Sequence, residues 1–163
     1  MILQIVGFKN SGKTTLMAHT IKILKSHQLT VATIKHHGSH QNEEAEMDIT
    51  LQADDVDHMK HFNAGADQSI VQGESFQQTV TRKENQSLDK IISESVTINT
   101  NIILIEGFKS ASYDKVVVYK DEQELQLLRN LSNIKYCINM NGMSALTAYD
   151  QWLEHYFNIK GMH

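Results

Sequence analysis

The 163-residue chain, 40% hydrophobic and 21% charged, has the make-up of one globular domain over residues 1–163 and is too short for two comfortable ones. A net charge of −4 leaves no basic footprint for DNA or RNA, and no apolar run approaches the roughly 20 residues needed to cross a bilayer. Cys137 is the single cysteine, which excludes an internal disulfide or a cysteine zinc cage, fits a reducing cytoplasm, and reads as a small core residue.

In chain order, residues 2–6 are apolar and β-branched and predict a buried strand that runs into Gly7. A helix is predicted over 13–26, with Met17, Ile21 and Leu24 on one face and Lys22, Lys25 and His27 toward water, followed by a strand over 29–34. Strand, loop, helix, strand is the order of a parallel α/β unit. Residues 36–55 sustain neither period and predict either a mobile functional loop or an excursion from the sheet. A short helix over 57–63 uses Met59 and Phe62 and is stopped by Gly65, and a strand follows over 68–72. Leu88, Ile91 and Ile92 mark a helix, and residues 102–105 form the clearest central strand, which ends in Glu106 and Gly107. Strands at 116–119 and 134–138 flank a leucine-rich helix over 122–131. Ser144 is placed to cap a last helix, where Tyr149, Trp152, Leu153, Tyr156 and Phe157 recur at core-packing spacing.

The segment GFKNSGKT, residues 7–14, fits G-x-x-x-x-G-K-[ST] through Gly7, Gly12, Lys13 and Thr14. Glycines let backbone N–H groups fold around phosphate oxygens, and the helix starting there adds its positive end. Lys13 is expected to reach the β- and γ-phosphates, and the Thr14 hydroxyl to bind Mg²⁺. The motif lies directly between an apolar strand and an amphipathic helix, the context its chemistry requires. The fold class is therefore α/β, P-loop NTPase-like, with a mainly parallel sheet flanked by helices. Asn10 and Ser11 suit the tight loop, and Lys9 is either a second charge near the phosphates or a solvated lysine.

A phosphate loop needs a carboxylate from a second strand for its magnesium, and Glu106, after four apolar residues, falls at the carboxyl end of one. The alternative is a strand-end carboxylate that caps a turn. His36, His37 and His40 lie at the end of the second strand and are candidates for metal, for phosphate or polar-ring contact, or for plain loop positions. Asp48, Asp54, Asp55 and Asp57 follow, either as a magnesium ligand or as the solvated start of a helix.

These motifs together resemble the MobB family of accessory proteins in molybdenum-cofactor biosynthesis. The resemblance is carried by VGFKNSGKTTL, IKHHGSH, HFNAGA and LIEGFK, in the family's order over about the first two thirds of the chain. It implies a GTP-binding protein, a homodimer and at most a slow GTPase, working beside the guanylyltransferase MobA on molybdopterin cofactor. By that resemblance Gly12, Lys13, Thr14 and Thr15 hold phosphates and Glu106 serves the magnesium side. His36 and His37 line the cleft, and Asp48 and Asp57 match acidic loop positions. His58 departs from the small hydroxyl residue expected after Asp57. No N-K-x-D element is present to read guanine. Residues 139–142, Asn-Met-Asn-Gly, either contact the base or form a turn.

A small-molecule kinase and a metal-insertion GTPase are the competing classes. The kinase reading suffers from the scarcity of arginine, since Arg82 and Arg129 are isolated and neither lies in an evident lid. Lys9, supplied across a dimer, is the only substitute the sequence offers.

Overall fold

A computed structural model describes residues 1–37, 49–142 and 144–159. Strand β1 (Ile2–Gly7) is followed by helix α1 (Lys13–Ser26), strand β2 (Val31–Lys35), helix α2 (Asp57–Asn63), and strands β3 (Gln68–Gln72) and β4 (Gln77–Thr81). Helix α3 (Leu88–Ser95), strands β5 (Ile102–Glu106) and β6 (Lys115–Tyr119), helix α4 (Glu122–Leu128), strand β7 (Ile134–Asn139) and helix α5 (Ala145–Tyr156) complete the order.

The described residues fall into two compact units, one drawn from Met1–Gly38 and Glu94–His163, the other from Ser39–Ser93. The first holds a five-stranded, wholly parallel sheet in the order β2-β5-β1-β6-β7. The α/β fold with a mainly parallel sheet flanked by helices is the one the phosphate loop predicted. β1 is central, so the loop leaving its carboxyl end emerges between the ends of β5 and β6, the place where open α/β sheets bind ligands.

Alternation along the strands sorts the core onto two faces. Leu3, Ile5, Leu104, Val116, Val118 and Ile138 pack with Leu16, Met17 and Leu24 of α1 and with Tyr149 and Leu153 of α5. Val6 and Val117 point the other way, onto Leu125 and Leu128 of α4. On that second face the register also pairs two buried polar residues, Gln4 and Lys115. They are satisfied by the loop 107–114. Gln4 Nε2 donates to the carbonyls of Gly107 at 3.0 Å and Phe108 at 2.9 Å, and Lys115 Nζ donates to those of Ala111 and Tyr113. A loop that supplies carbonyls thus covers the part of the face where those two side chains lie.

The second unit holds α2 and an antiparallel β3-β4 hairpin with Ile70 opposite Thr79. Met59 and Phe62 are buried as predicted. Arg82 lies with its guanidinium 4.1 Å over the Phe62 ring and donates to the Phe62 carbonyl at 2.9 Å. Strand β4, sequence QQTVT, was missed in the sequence because it carries no apolar alternation.

Three local expectations are corrected. Cys137 is exposed on β7, the edge strand, rather than a core residue. His27 does not face water, because its side chain is largely covered and its Nε2 lies 3.8 Å from Glu154 on α5. Ser144 holds the N-cap position of α5, but its side chain makes no capping bond.

Candidate functional site

Gly7 ends β1 beside Val118 of β6, and the chain then turns through Asn10, with φ 60°, and Gly12, with φ 96°, into the first turn of α1. Asparagine is among the few side chains that tolerate the left-handed region. Gly12 has a second reason to be glycine, since a Cβ there would lie 2.9 Å from Met140 Cγ. The turn is closed by Ser11 N–H donating to the Phe8 carbonyl at 3.3 Å and Leu16 N–H donating to Gly12 at 2.9 Å. Lys9, Asn10 and Thr15 are exposed.

Two features of this turn suit an anionic ligand. Ser11 is 3% exposed, yet its Oγ has no hydrogen-bond partner, an orphaned polar atom of the kind that calls for a ligand. Lys13 folds back to donate to the Phe8 carbonyl at 2.5 Å. Its pKa is held below the ordinary value of 10.5, first by desolvation and further by the positive charges of Lys109 and Lys35, with Glu106 opposing. A phosphate would supply the missing counter-charge.

Glu106 reaches the loop from β5, the strand that lies between β1 and β2. Thr14 Oγ1 lies 3.2 Å from both carboxylate oxygens, and Lys35 Nζ is 3.3 Å from Oε1. Glu106 is 8% exposed, so its carboxylate is largely desolvated between a hydroxyl and an ammonium. A threonine hydroxyl beside a carboxylate is a hard-oxygen donor set that fits magnesium.

The histidines divide. His36 is exposed, with its ring 4.4 Å from that of Phe108 and its N–H donating to the Glu106 carbonyl at 2.9 Å. It therefore sits beside the loop. His37 is exposed, and His40 and Asp48 lie outside the described residues. Among the described residues, no three His, Cys, Asp or Glu side chains come together. Asp57 belongs to the second unit, at the start of α2, where it pairs with Lys60 at 3.1 Å. Asn139 acts in a turn, its Nδ2 donating to the Lys120 carbonyl and its Oδ1 accepting from Asn141 N–H, both at 2.9 Å.

Neither arginine is free for catalysis. Arg82 is held on Phe62, and Arg129 pairs with Glu122 at 3.3 Å. The cation missed in the sequence is Lys109, whose Nζ lies 4.2 Å from the centroid of the Phe8 ring. Only its place in LIEGFK, three residues past Glu106, hinted at it.

Residues 2–139 match the family model described as molybdopterin guanine dinucleotide synthesis protein B, MobB. A probable molybdopterin-guanine dinucleotide biosynthesis adapter protein of Bacillus subtilis is 35% identical, the match covering 82% of this chain and 73% of that protein. The adapter protein of Haemophilus influenzae is 31% identical over 98% of this chain and 93% of its own. Among solved structures, a MobB protein homolog from Bacillus stearothermophilus has the same fold. Its TM-score is 0.74 at 24% identity, covering 98% of this chain and 99% of that one.

Proposed function

This chain belongs to the MobB family of molybdopterin guanine dinucleotide biosynthesis adapters, and from that premise we propose that it binds GTP with Mg²⁺ and presents it to a MobA-type guanylyltransferase. The observation that carries the nucleotide reading is the phosphate loop with its buried, unpartnered Ser11 hydroxyl and its desolvated Lys13. Gly12 and the first turn of α1 would hold phosphates through backbone N–H groups, together with the Ser11 hydroxyl and Lys13. Thr14 and Glu106 would hold the magnesium ion, which neutralises phosphate charge when bound. Residues 139–142 and the His36 ring are the nearest candidates for contacts beyond the phosphates. Guanine as the base comes from the family, because no side chain in the turn at Asn139 is committed to reading it.

Hydrolysis is slow in this reading. An arginine finger is worth on the order of 10³ to 10⁵ in rate, and both arginines are engaged elsewhere. The same engagement counts against a kinase lid. A cytoplasmic homodimer completes the proposal. Ile70 and Val71 on the β3-β4 hairpin and Phe76 at its turn are exposed, apolar surface of the kind a second copy would cover. A monomer in sedimentation equilibrium would remove the dimer from the proposal.

The test is a calorimetric titration of the full chain with GTP·Mg²⁺ and ATP·Mg²⁺, alongside co-purification with a MobA-type enzyme. Tighter binding of GTP and a stable complex are expected. Rapid phosphorylation of a small acceptor would replace the adapter by the kinase.

Proton uptake on binding is a further expected result. In the free protein, desolvation keeps the Lys13 pKa below 10.5, whereas a phosphate beside it raises the pKa again. Between those two values the free protein has shed part of the proton that the complex retains. Binding therefore takes protons up, and affinity falls as pH climbs through that window. Titration over the range below 10.5 in two buffers of different ionisation enthalpy should give apparent enthalpies that differ within that window. Equal enthalpies would mean that Lys13 gains no anionic partner.

A further inference from the structure

The chain leaves Glu106 through two successive left-handed residues, Gly107 with φ 97° and Phe108 with φ 52°. A phenylalanine is strained there, and such strain persists only where the surroundings over-determine it. Here they do. Gln4 grips both carbonyls from below, Lys115 grips those of Ala111 and Tyr113, and Asn133 Nδ2 donates to the carbonyl of Ser112. Gly107 is further confined, because a Cβ on it would lie 3.1 Å from His36 Cβ.

The product of this turn is the position of Lys109. Its stem is carried back over the phosphate loop, so that Nζ stands 4.2 Å from the centroid of the Phe8 ring. Phe8 is the loop residue whose carbonyl receives Lys13 Nζ. The charges of Lys109 and Lys35 both act on Lys13, as do those of Glu106 and Glu124, so ammonium groups outnumber carboxylates by three to two. Glu124 is itself paired with Lys120 at 3.1 Å, which leaves the surplus larger still. A rigid loop that delivers a second ammonium to a cation-rich phosphate loop is arranged for a ligand with several negative charges.

We propose that Lys109 is a terminal-phosphate ligand, resting on the Phe8 ring in the free protein and moving from it to the γ-phosphate of a bound nucleoside triphosphate, opposite Lys13. This rests on the triphosphate reading of the loop. It distinguishes the two lysines by the phosphates they serve. Lys13 serves any nucleotide with a β-phosphate, whereas Lys109 serves the triphosphate alone and sets the preference for GTP over GDP.

Calorimetry of the wild type, Lys109→Met and Lys109→Arg with GTP·Mg²⁺ and GDP·Mg²⁺ tests it. Methionine keeps an apolar stem over Phe8 without the charge. Lys109→Met should weaken GTP about fivefold and GDP less than twofold, and Lys109→Arg should retain most of the discrimination. A purely structural role would move both nucleotides together, so equal losses, or none, would overturn the assignment. The ratio is read within one variant and survives a shift in its melting temperature. A wild type that binds neither nucleotide would instead sink the triphosphate reading itself, and this inference with it.

Discussion

Lys13→Ala is expected to weaken GTP binding at least tenfold, about 1.4 kcal/mol, and to leave the fold intact. The two halves of that expectation have one cause. Desolvation lowers the pKa of this ammonium in the folded protein, so its charged form is disfavoured there relative to the unfolded chain. The sign follows from linkage. With the folded pKa below the unfolded one, the charged lysine opposes folding at neutral pH, and that cost is relieved only as pH rises toward the unfolded value. Alanine removes the cost together with one hydrogen bond to the Phe8 carbonyl. The melting temperature should therefore move by only a few degrees, while the triphosphate loses its principal side-chain cation. This is the stability exchanged for function that a preorganised anion site implies. Calorimetric titration with a thermal melt on the same sample checks both halves. An unchanged affinity would refute the loop assignment, and a collapsed melt would mean that Lys13 is structural.

The parts of the site that were legible in the sequence are those whose chemistry is local. Gly7 to Thr14 announces itself because a strand, a glycine turn and a helix start are contiguous. Glu106 was legible from 92 residues away because a carboxylate after a run of apolar residues must emerge at the carboxyl end of a buried strand, and the Thr14 hydroxyl does meet it there. Lys109 was not legible. Its direction depends on two left-handed residues that the sequence GF does not announce, and on Gln4, which reads as a polar interruption of β1 until the loop it holds is seen. The same blindness to partners explains Cys137 and His27. An edge position on β7 is a property of strand order, and the cover over His27 comes from a helix 127 residues later in the chain. β4 failed differently, because a hairpin strand of glutamine and threonine has no period to detect.

Tyr149→Ala should lower the unfolding free energy by about 3–5 kcal/mol, the range for truncating a buried aromatic, and the melting temperature by roughly 10 °C. Tyr149 is the largest fully buried side chain among the described residues, where α5, α1 and β7 meet. Its ring lies 5.7 Å from Tyr136 and 5.6 Å from Trp152, and Trp152 stacks in turn on Tyr156 at 5.1 Å. Truncation opens a cavity that this aromatic column cannot readily collapse to fill. Tyr149→Phe separates ring from hydroxyl. Thr20 Oγ1 already donates to the Leu16 carbonyl at 2.8 Å, so the tyrosine hydroxyl is the donor in the 2.7 Å contact between them. Removing it leaves Thr20 with its helix bond and should cost only about 1 kcal/mol. Both variants are read by denaturant melts, and a Tyr149→Phe loss as large as that of Tyr149→Ala would place the energy in the hydrogen bond rather than in packing. The pair also bears on the phosphate loop, because α1 begins at Lys13 and is buried against α5 through Thr20 and Tyr149. If packing is what fixes α1, Tyr149→Ala should weaken nucleotide binding without touching a single loop residue, and Tyr149→Phe should not.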